Sequence, residues 1–141
     1  MILENIRGIP LIFPVHPRTA RILDSIKFKN SNLHQIAPLT YFEFNFLVQR
    51  SKAIITDSGG ITEEATIFKT PCITLRNNTE RPETVKIGTN ELIGNNLKNV
   101  KSILDKLFLN QWKKSSIPEL WDGNTGERIV SKIIEINDKN D

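Results

Sequence analysis

The sequence contains few cysteines, few aromatic residues and no long apolar run, and these shortages exclude several classes of protein. Its one cysteine, Cys72, cannot form an internal disulfide and indicates a reducing compartment, which we expect to be the cytoplasm. No apolar stretch approaches the length that spans a bilayer, and the first residues lack the pattern of a secretory signal. We therefore expect neither membrane association nor a disulfide-stabilised scaffold.

An excess of charge of one sign is also lacking. Nineteen basic and sixteen acidic residues give a formal net charge of +3. The basic residues are scattered among acids and do not interleave with the sparse aromatic residues, so we do not expect a nucleic-acid partner. A mild positive bias suits an anionic small molecule equally well.

The sequence does contain a regular alternation of short β-rich runs and longer helical stripes. This pattern predicts strands at 11–15, 33–37, 53–56, 71–75 and 91–93, and helices at 19–28, 41–50, 61–68, 97–110 and 126–136. Two helices have a predicted inward face, formed by Ile22, Leu23 and Ile26 in one and by Leu97, Val100, Leu104, Leu107 and Phe108 in the other. Continuous apolar strands alternating with helices are typical of an α/β fold. We expect one domain built on a Rossmann-like doubly wound parallel sheet with both faces covered.

Ligands of such sheets bind beyond the carboxyl ends of the strands, and the first polar stretch there begins after Thr56. Ser58, Gly59 and Gly60 lead from a strand into a helix. Two glycines allow backbone amides to approach an anion, and the N-terminus of the helix carries a partial positive charge. The alternative is a tight turn in which Asp57 or Ser58 caps the helix.

Glu64 interrupts the apolar stripe that Ile61, Ala65 and Phe68 form on the same helix. An ionised acid on a half-buried face needs hydrogen-bond donors, which the hydroxyls of a ribose beside a phosphate site would supply. The alternative is a structural salt bridge to an Arg or Lys. Glu63 projects to the side of this stripe.

The second stretch follows Val15, where His16 stands between two prolines that restrict its backbone. A titratable ring at that position could orient or protonate a leaving phosphate. The alternative is a capping histidine bonded to a loop carbonyl. Arg18 could bind a phosphate or lie in solvent, whereas His34 is mid-strand and is interpreted as structural.

The third stretch follows Leu75 and contains Arg81, which Pro82 holds extended before a possible helical turn. Taken alone, this third stretch would be interpreted as a solvated charged loop. Because three polar stretches follow strands of the same predicted sheet, a shared anion site is favoured instead. Phe44, in an apolar helix, either packs in the core or offers its face to a flat base.

The strings PVHPRT, PLTYFEFNFLV, TDSGGITEEA, LRNNTERPETVKIGTN and DGNTGERIV together resemble the non-hydrolysing UDP-N-acetylglucosamine 2-epimerases. They occur in the family's order and cover nearly the whole chain. The resemblance implies the C-terminal half of a two-domain GT-B fold, in which the substrate lies between two Rossmann-like halves. It also implies roles for individual residues: diphosphate binding by Ser58, Gly59 and Gly60, ribose binding by Glu64, uracil contact by Phe44, nucleotide-sugar contact by Arg81, and an active-site role near the diphosphate for His16.

The resemblance further implies that UDP is eliminated from the sugar and re-added with inversion at carbon 2, without a cofactor or metal ion. Because the family's sugar-facing acids lie mainly in the N-terminal half, residues 1–141 are expected to act with such a half, in cis or in trans, and not to turn over alone. Two alternatives stay open: a stand-alone UDP-sugar-binding module, and half of an epimerase for a UDP-diacetamido-uronic acid. A homo-oligomer is also possible.

Overall fold

A computed structural model describes residues 2–26, 30–94, 96 and 98–139. Short strands and helices alternate along this part of the chain, as the hydrophobic pattern predicts. The strands are β1 (Leu11–Pro14), β2 (Leu33–Ile36), β3 (Ile54–Thr56), β4 (Cys72–Thr74) and β5 (Asn90–Leu92). The helices are α1 (Ile2–Asn5), α2 (Pro17–Ile26), α3 (Tyr41–Arg50), α4 (Gly59–Ile67), α5 (Pro82–Lys86), α6 (Lys98–Phe108) and α7 (Thr125–Asp138).

All strand pairings are parallel, which confirms the α/β parallel-sheet class. The strands form two groups, however, with β1 beside β2 in one and the order β3-β4-β5 in the other. Between 2–26 and 30–94, where all five strands lie, no ladder joins β1 to β3. In these residues the ladder of the predicted parallel sheet is thus divided into two groups, while the predicted alternation of strand and helix is confirmed.

The hydrophobic core lies between the three-stranded group and α6. Ile73 of β4 and Ile93, just after β5, pack against the inward face of that helix. The predicted residues Val100, Leu104 and Leu107 are buried there. Phe108 packs at the edge of the cluster, and Leu97 lies outside the described residues. The helix thus follows its amphipathic pattern because an apolar sheet face lies directly beneath it.

The predicted inward face of the helix at 19–28 is observed only in part, because Leu23 is half-buried but the other two residues are not. α2 leaves 59% of Ile22 and 62% of Ile26 exposed, and Phe28 lies outside the described residues. A sheet of only two strands offers α2 a narrow surface, so its apolar side chains stay largely uncovered.

α7 likewise has no buried residue, and Ile129, Val130, Ile133 and Ile134 form an apolar stripe that is about half exposed. The helix begins where Asp122 accepts a hydrogen bond from the Asn124 N–H and pairs with Arg128 through both carboxylate oxygens. The side-chain bond to Arg128 lowers the pKa of Asp122. An amphipathic helix with an ordered start and an uncovered stripe points to a surface that something else covers.

None of the helices in the described part of the chain is long and apolar enough to cross a bilayer.

Candidate functional site

The N-terminus of α4 carries the features expected of an anion site. Ser58 precedes the helix in an extended conformation, and its hydroxyl makes no capping bond. Its N–H instead donates to Thr56 Oγ1 at 3.0 Å. A side-chain cap by Ser58 or Asp57, the alternative interpretation, is absent from this turn. The first amides of α4 therefore have no side-chain acceptor of their own.

Gly59 and Gly60 border open space. A β-carbon built on either residue would meet no heavy atom within 4 Å. Packing within the chain therefore does not require glycine at these positions. Close approach of an external group to the backbone would require it, which is the arrangement by which glycine turns bind phosphate.

The inward face of α4 differs from the predicted stripe of Ile61, Glu64, Ala65 and Phe68. Thr62, Ala65 and Thr66 are the buried residues. The Thr62 hydroxyl donates to the Gly59 carbonyl at 2.6 Å, and the Thr66 hydroxyl donates to the Thr62 carbonyl at 2.9 Å. Because both hydroxyls are satisfied inside the helix, these threonines pack as small apolar residues.

Glu64 is half-buried, and its carboxylate makes no hydrogen bond or ion pair with the residues that the structure describes. The structural salt bridge considered as its alternative forms at the neighbouring residue. Arg81 Nε lies 2.7 Å from Glu63 Oε1, which joins the loop after β4 to the side of α4. Glu64 is thus left with its acceptor oxygens available.

The Glu63–Arg81 pair is the contact that sequence reasoning missed. The Arg81 N–H donates to Thr79 Oγ1 at 3.0 Å, and Pro82 begins α5 directly after it. Helix periodicity predicts that Glu63 projects to the side of α4, but it does not identify a partner. The opposite charges of Glu63 and Arg81 are the only feature of the sequence that favours this pair. The pair brings together the first and third polar stretches at the carboxyl end of the three-stranded group.

His16 precedes α2, and its exposed ring caps that helix. Its Nδ1 accepts a hydrogen bond from the Arg18 N–H at 3.3 Å, while its carbonyl accepts from the N–H groups of Thr19 and Ala20. The expected capping alternative had the ring bonded to a loop carbonyl, whereas here the ring accepts from the helix. Because Nδ1 is the acceptor, a neutral ring carries its proton on Nε2.

His16 follows β1, which belongs to the other strand group, and no hydrogen bond or ion pair within 2–26 and 30–94 links it to Ser58, Glu64 or Arg81. The side chain of Arg18 is exposed and likewise makes no ion pair with these segments. The contacts of this chain alone therefore assemble two of the three polar stretches.

Phe44 is half-buried in α3, whereas 82% of Phe42 and 55% of Phe46 are exposed. The latter two line an apolar groove of about 810 Å³ between α3 and one face of the β1–β2 pair, and His34 borders the same groove. This groove lies against a sheet face, so it is distinct from the loops at the carboxyl ends of the strands.

Burial shifts the pKa of two groups that lie toward the opposite, amino-terminal end of the strands. Burial raises the pKa of the Cys72 thiol at the start of β4 to about 12. Burial also lowers the pKa of Lys113, whose ammonium donates to the carbonyls of Val85 and Asn90. Cys72 is buried in the core of the sheet, and Lys113 joins α5 to the start of β5, so neither group belongs to the glycine turn.

A family model described as UDP-N-acetylglucosamine 2-epimerase matches residues 1–134. The chain belongs to this family. The UDP-N-acetylglucosamine 2-epimerase of Methanocaldococcus jannaschii is 44% identical over 127 residues, which are 85% of this chain and 34% of that protein. A crystal structure of the M. jannaschii UDP-GlcNAc 2-epimerase in complex with UDP-GlcNAc and UDP has a TM-score of 0.75 and 39% identity, and the match covers 95% of this chain and 38% of that one.

A second type of 2-epimerase is also similar to this member of the family. The UDP-2,3-diacetamido-2,3-dideoxy-D-glucuronate 2-epimerase of Pseudomonas aeruginosa is 41% identical over 85 residues, which are 60% of this chain and 24% of that protein. The chain thus spans about a third of the length of the curated relatives that match most of it. Its parallel α/β fold is that of part of a GT-B epimerase.

Proposed function

We propose that this chain is the C-terminal, nucleotide-binding part of a UDP-N-acetylglucosamine 2-epimerase, which interconverts UDP-N-acetylglucosamine and UDP-N-acetylmannosamine. The observation that carries the proposal is the start of α4. Uncapped amides, two glycines facing open space and a carboxylate with no partner among the described residues occur there within seven residues, from Ser58 to Glu64. Amides suit a diphosphate, and the acid suits the hydroxyls of the adjoining ribose.

Other side chains complete the proposed nucleotide site. Arg81, held by Glu63, would contact the nucleotide sugar, and Phe44 would lie against the uracil. His16 would donate from Nε2 to the departing diphosphate, with Arg18 as an additional cation beside it. We place the protein in the cytoplasm, because Cys72 is a buried free thiol.

In the proposed reaction a base removes the proton from carbon 2 of the sugar, the bond between carbon 1 and the diphosphate oxygen breaks, and UDP leaves with that electron pair. The resulting 2-acetamidoglucal takes UDP back at carbon 1 and a proton on the other face of carbon 2. This chain would stabilise the departing diphosphate. The proton transfers at carbon 2 would belong to the N-terminal half.

A related substrate has a specific observation in its favour. The similarity to the P. aeruginosa diacetamido-glucuronate epimerase extends over 85 residues. The nucleotide-side groups described above do not distinguish the two sugars, so the second candidate is the same half of an epimerase for a UDP-diacetamido-uronic acid. Activity of the reconstituted enzyme on each nucleotide sugar distinguishes them.

The isolated chain should bind UDP with a dissociation constant of about 0.1–1 mM, because the diphosphate, ribose and uracil contacts are proposed to lie on it while half of the cleft wall is missing. Isothermal titration calorimetry with UDP measures this directly. A folded chain that releases or absorbs no binding heat at millimolar UDP would contradict the proposal.

Glu64→Ala should weaken UDP binding by roughly 1–3 kcal/mol if ribose hydroxyls are the partners of this carboxylate. Binding of 2′,3′-dideoxy-UDP should change much less, since that ligand lacks both hydroxyls. Glu80→Ala, which removes an equal charge from an exposed position in the next loop, is the matched control and should leave both affinities nearly unchanged. Equal losses for both ligands in Glu64→Ala would return this residue to a structural role.

The apolar stripe of α7 should mark a surface that a partner half covers, and the isolated chain should self-associate through it at high concentration. Replacing both Ile129 and Ile133 by Glu should reduce self-association in sedimentation velocity while changing the free energy of unfolding by less than about 1 kcal/mol, because both side chains are about half exposed. Leu104→Ala is the contrast, since loss of this buried side chain should cost about 2–5 kcal/mol. A strictly monomeric wild-type chain at millimolar concentration would count against a covered surface on α7.

A further inference from the structure

The two faces of the three-stranded group are covered in different ways. One face packs apolar side chains against α6, whereas α4 and α5 cover strands β4 and β5 with small polar side chains that are buried. The buried polar residues of this layer are Thr62, Thr66, Thr74, Thr84 and Asn90. A buried polar group without a hydrogen bond costs free energy, so the partners of these groups indicate what each of them does.

Three of these side chains form a continuous hydrogen-bonded network, Thr74–Asn90–Thr84. The Thr74 hydroxyl, at the end of β4, donates to Asn90 Oδ1 at 2.6 Å, and Asn90 Nδ2 donates to Thr84 Oγ1 at 3.2 Å. The Thr84 hydroxyl, in α5, then donates to the Arg81 carbonyl at 2.7 Å. Because a hydroxyl has a single proton and Thr84 gives it to Arg81, Thr84 can only accept from Asn90. The network therefore runs in one direction, from the end of β4 to the backbone of Arg81.

The position of α5 on the sheet depends on this network. A helix of five residues is not stable by itself, and Thr84 is the one residue of α5 that is buried. α5 is therefore attached to β5 by a polar side chain and not by an apolar anchor. Because hydrogen bonds are directional, they hold a short helix in one orientation, which apolar contact alone does not do.

Arg81, directly before α5, is held at its N–H, its carbonyl and its side chain. Its N–H donates to Thr79 Oγ1 at 3.0 Å, its carbonyl accepts from Thr84, and its Nε donates to Glu63 Oε1 at 2.7 Å. Arg81 Nη2, in contrast, donates to no residue in the described part of the chain. A guanidinium that is fixed in this way is oriented before a ligand arrives, which reduces the ordering that binding costs.

We propose that Asn90 and Thr84 are positioning residues for Arg81. The Thr74–Asn90–Thr84 network ties the Arg81 carbonyl to the sheet, so that the guanidinium stays beside α4 and offers Nη2 to the nucleotide sugar. That Nη2 meets a nucleotide sugar rests on the proposed function, whereas the dependence of Arg81 on Asn90 and Thr84 does not.

A purely structural role for the same residues predicts a different result. Their loss would then lower the free energy of unfolding without changing the guanidinium of Arg81. Thr70→Val is the matched control, because Thr70 is also buried and its hydroxyl donates to the Val48 carbonyl at 3.0 Å, outside the network.

The first measurement needs no nucleotide. The rate at which the Arg81 Nε proton exchanges with water reports its hydrogen bond to Glu63, and its ¹H–¹⁵N signal is assigned by its disappearance in Arg81→Ala. Thr84→Val should accelerate this exchange at least about 10-fold, whereas Thr84→Ser, which keeps the hydroxyl, and Thr70→Val should leave it within about two-fold of wild type. Asn90→Leu removes the middle of the network and should act like Thr84→Val, so it serves if Thr84→Val does not fold.

The wild-type chain provides a measurement that depends on no variant. The side-chain amide protons of Asn90 should exchange at least about 100-fold more slowly than those of the exposed Asn124.

Binding of UDP-N-acetylglucosamine, followed in ¹H–¹⁵N spectra, tests whether the network acts through Arg81. Thr84→Val should weaken binding about 3- to 10-fold in the wild-type background and cause no further loss in Arg81→Ala, because its effect requires the guanidinium. Absence of binding to the folded wild-type chain would overturn the proposed function and, with it, the ligand of Nη2, while the exchange rates decide the coupling independently.

Three results would overturn the positioning role of Asn90 and Thr84. Exchange of the Arg81 Nε proton could be unchanged in whichever of Thr84→Val and Asn90→Leu is folded. The side-chain amide of Asn90 could exchange as fast as that of Asn124. Thr84→Val could also weaken binding equally with and without the Arg81 side chain.

Discussion

The purified chain, incubated with UDP-N-acetylglucosamine, should produce neither UDP-N-acetylmannosamine nor free UDP above the uncatalysed background. Elimination requires removal of the proton from carbon 2 of the sugar by a base within about 3 Å of it. The proposed roles place His16, Ser58, Glu64 and Arg81 around the nucleotide. Glu63, the remaining acid on that side of α4, is paired with Arg81 at 2.7 Å. Stabilising the leaving diphosphate lowers only part of the barrier.

Adding an N-terminal half of the M. jannaschii epimerase should restore turnover, because under the proposed function such a half supplies the sugar-facing acids. Anion-exchange chromatography separates UDP from the nucleotide sugars, and proton NMR distinguishes the two epimers. Turnover by the chain alone at the rate of an intact epimerase would mean that the catalytic acids lie among these 141 residues and have been misassigned.

In the reconstituted enzyme, His16→Ala should lower turnover by about 100- to 10,000-fold while weakening UDP binding by only a few-fold. The neutral ring carries its proton on Nε2 because Nδ1 accepts from the Arg18 N–H, so Nε2 can donate to the oxygen that leaves carbon 1. A positioned acid of this kind contributes mainly in the transition state, which separates its effect on rate from its effect on binding.

His34→Ala is the matched control for that variant. His34 lies in β2 and borders the groove beside α3, remote from the carboxyl-end loops, so its loss should leave turnover nearly unchanged. Far-ultraviolet circular dichroism of both variants checks that α2 survives the loss of its cap. Equal losses of turnover and UDP affinity in His16→Ala would identify the ring as a structural cap only.

Much of the secondary structure could be predicted because its signals are local. α3 spans Tyr41–Arg50 as predicted, and its start is fixed by a capping box in which Glu43 accepts from Thr40 while its N–H donates to the threonine hydroxyl. The buried face of α6 follows its periodicity because it covers the three-stranded group. α1 was missed, since four residues carry no measurable period.

Other features could not be predicted because they depend on what lies next to each element. Ile22 and Ile26 have the spacing of a buried face, but the narrow β1–β2 pair does not cover them. Likewise, the Glu63–Arg81 contact joins residues 18 positions apart, a pairing that no local pattern specifies. The break between β1 and β3 is of the same kind, because strand spacing along the sequence does not show which strands pair.

The most direct test of the central claim is a titration of the ¹⁵N-labelled chain with UDP, followed residue by residue in ¹H–¹⁵N correlation spectra. The account predicts the largest shifts at the amides of Ser58, Gly59 and Gly60, with further shifts at Glu64 and Arg81, saturating at millimolar UDP. Shifts confined to the groove beside α3, around Phe42 and Phe46, or no shifts in a folded chain, would contradict it.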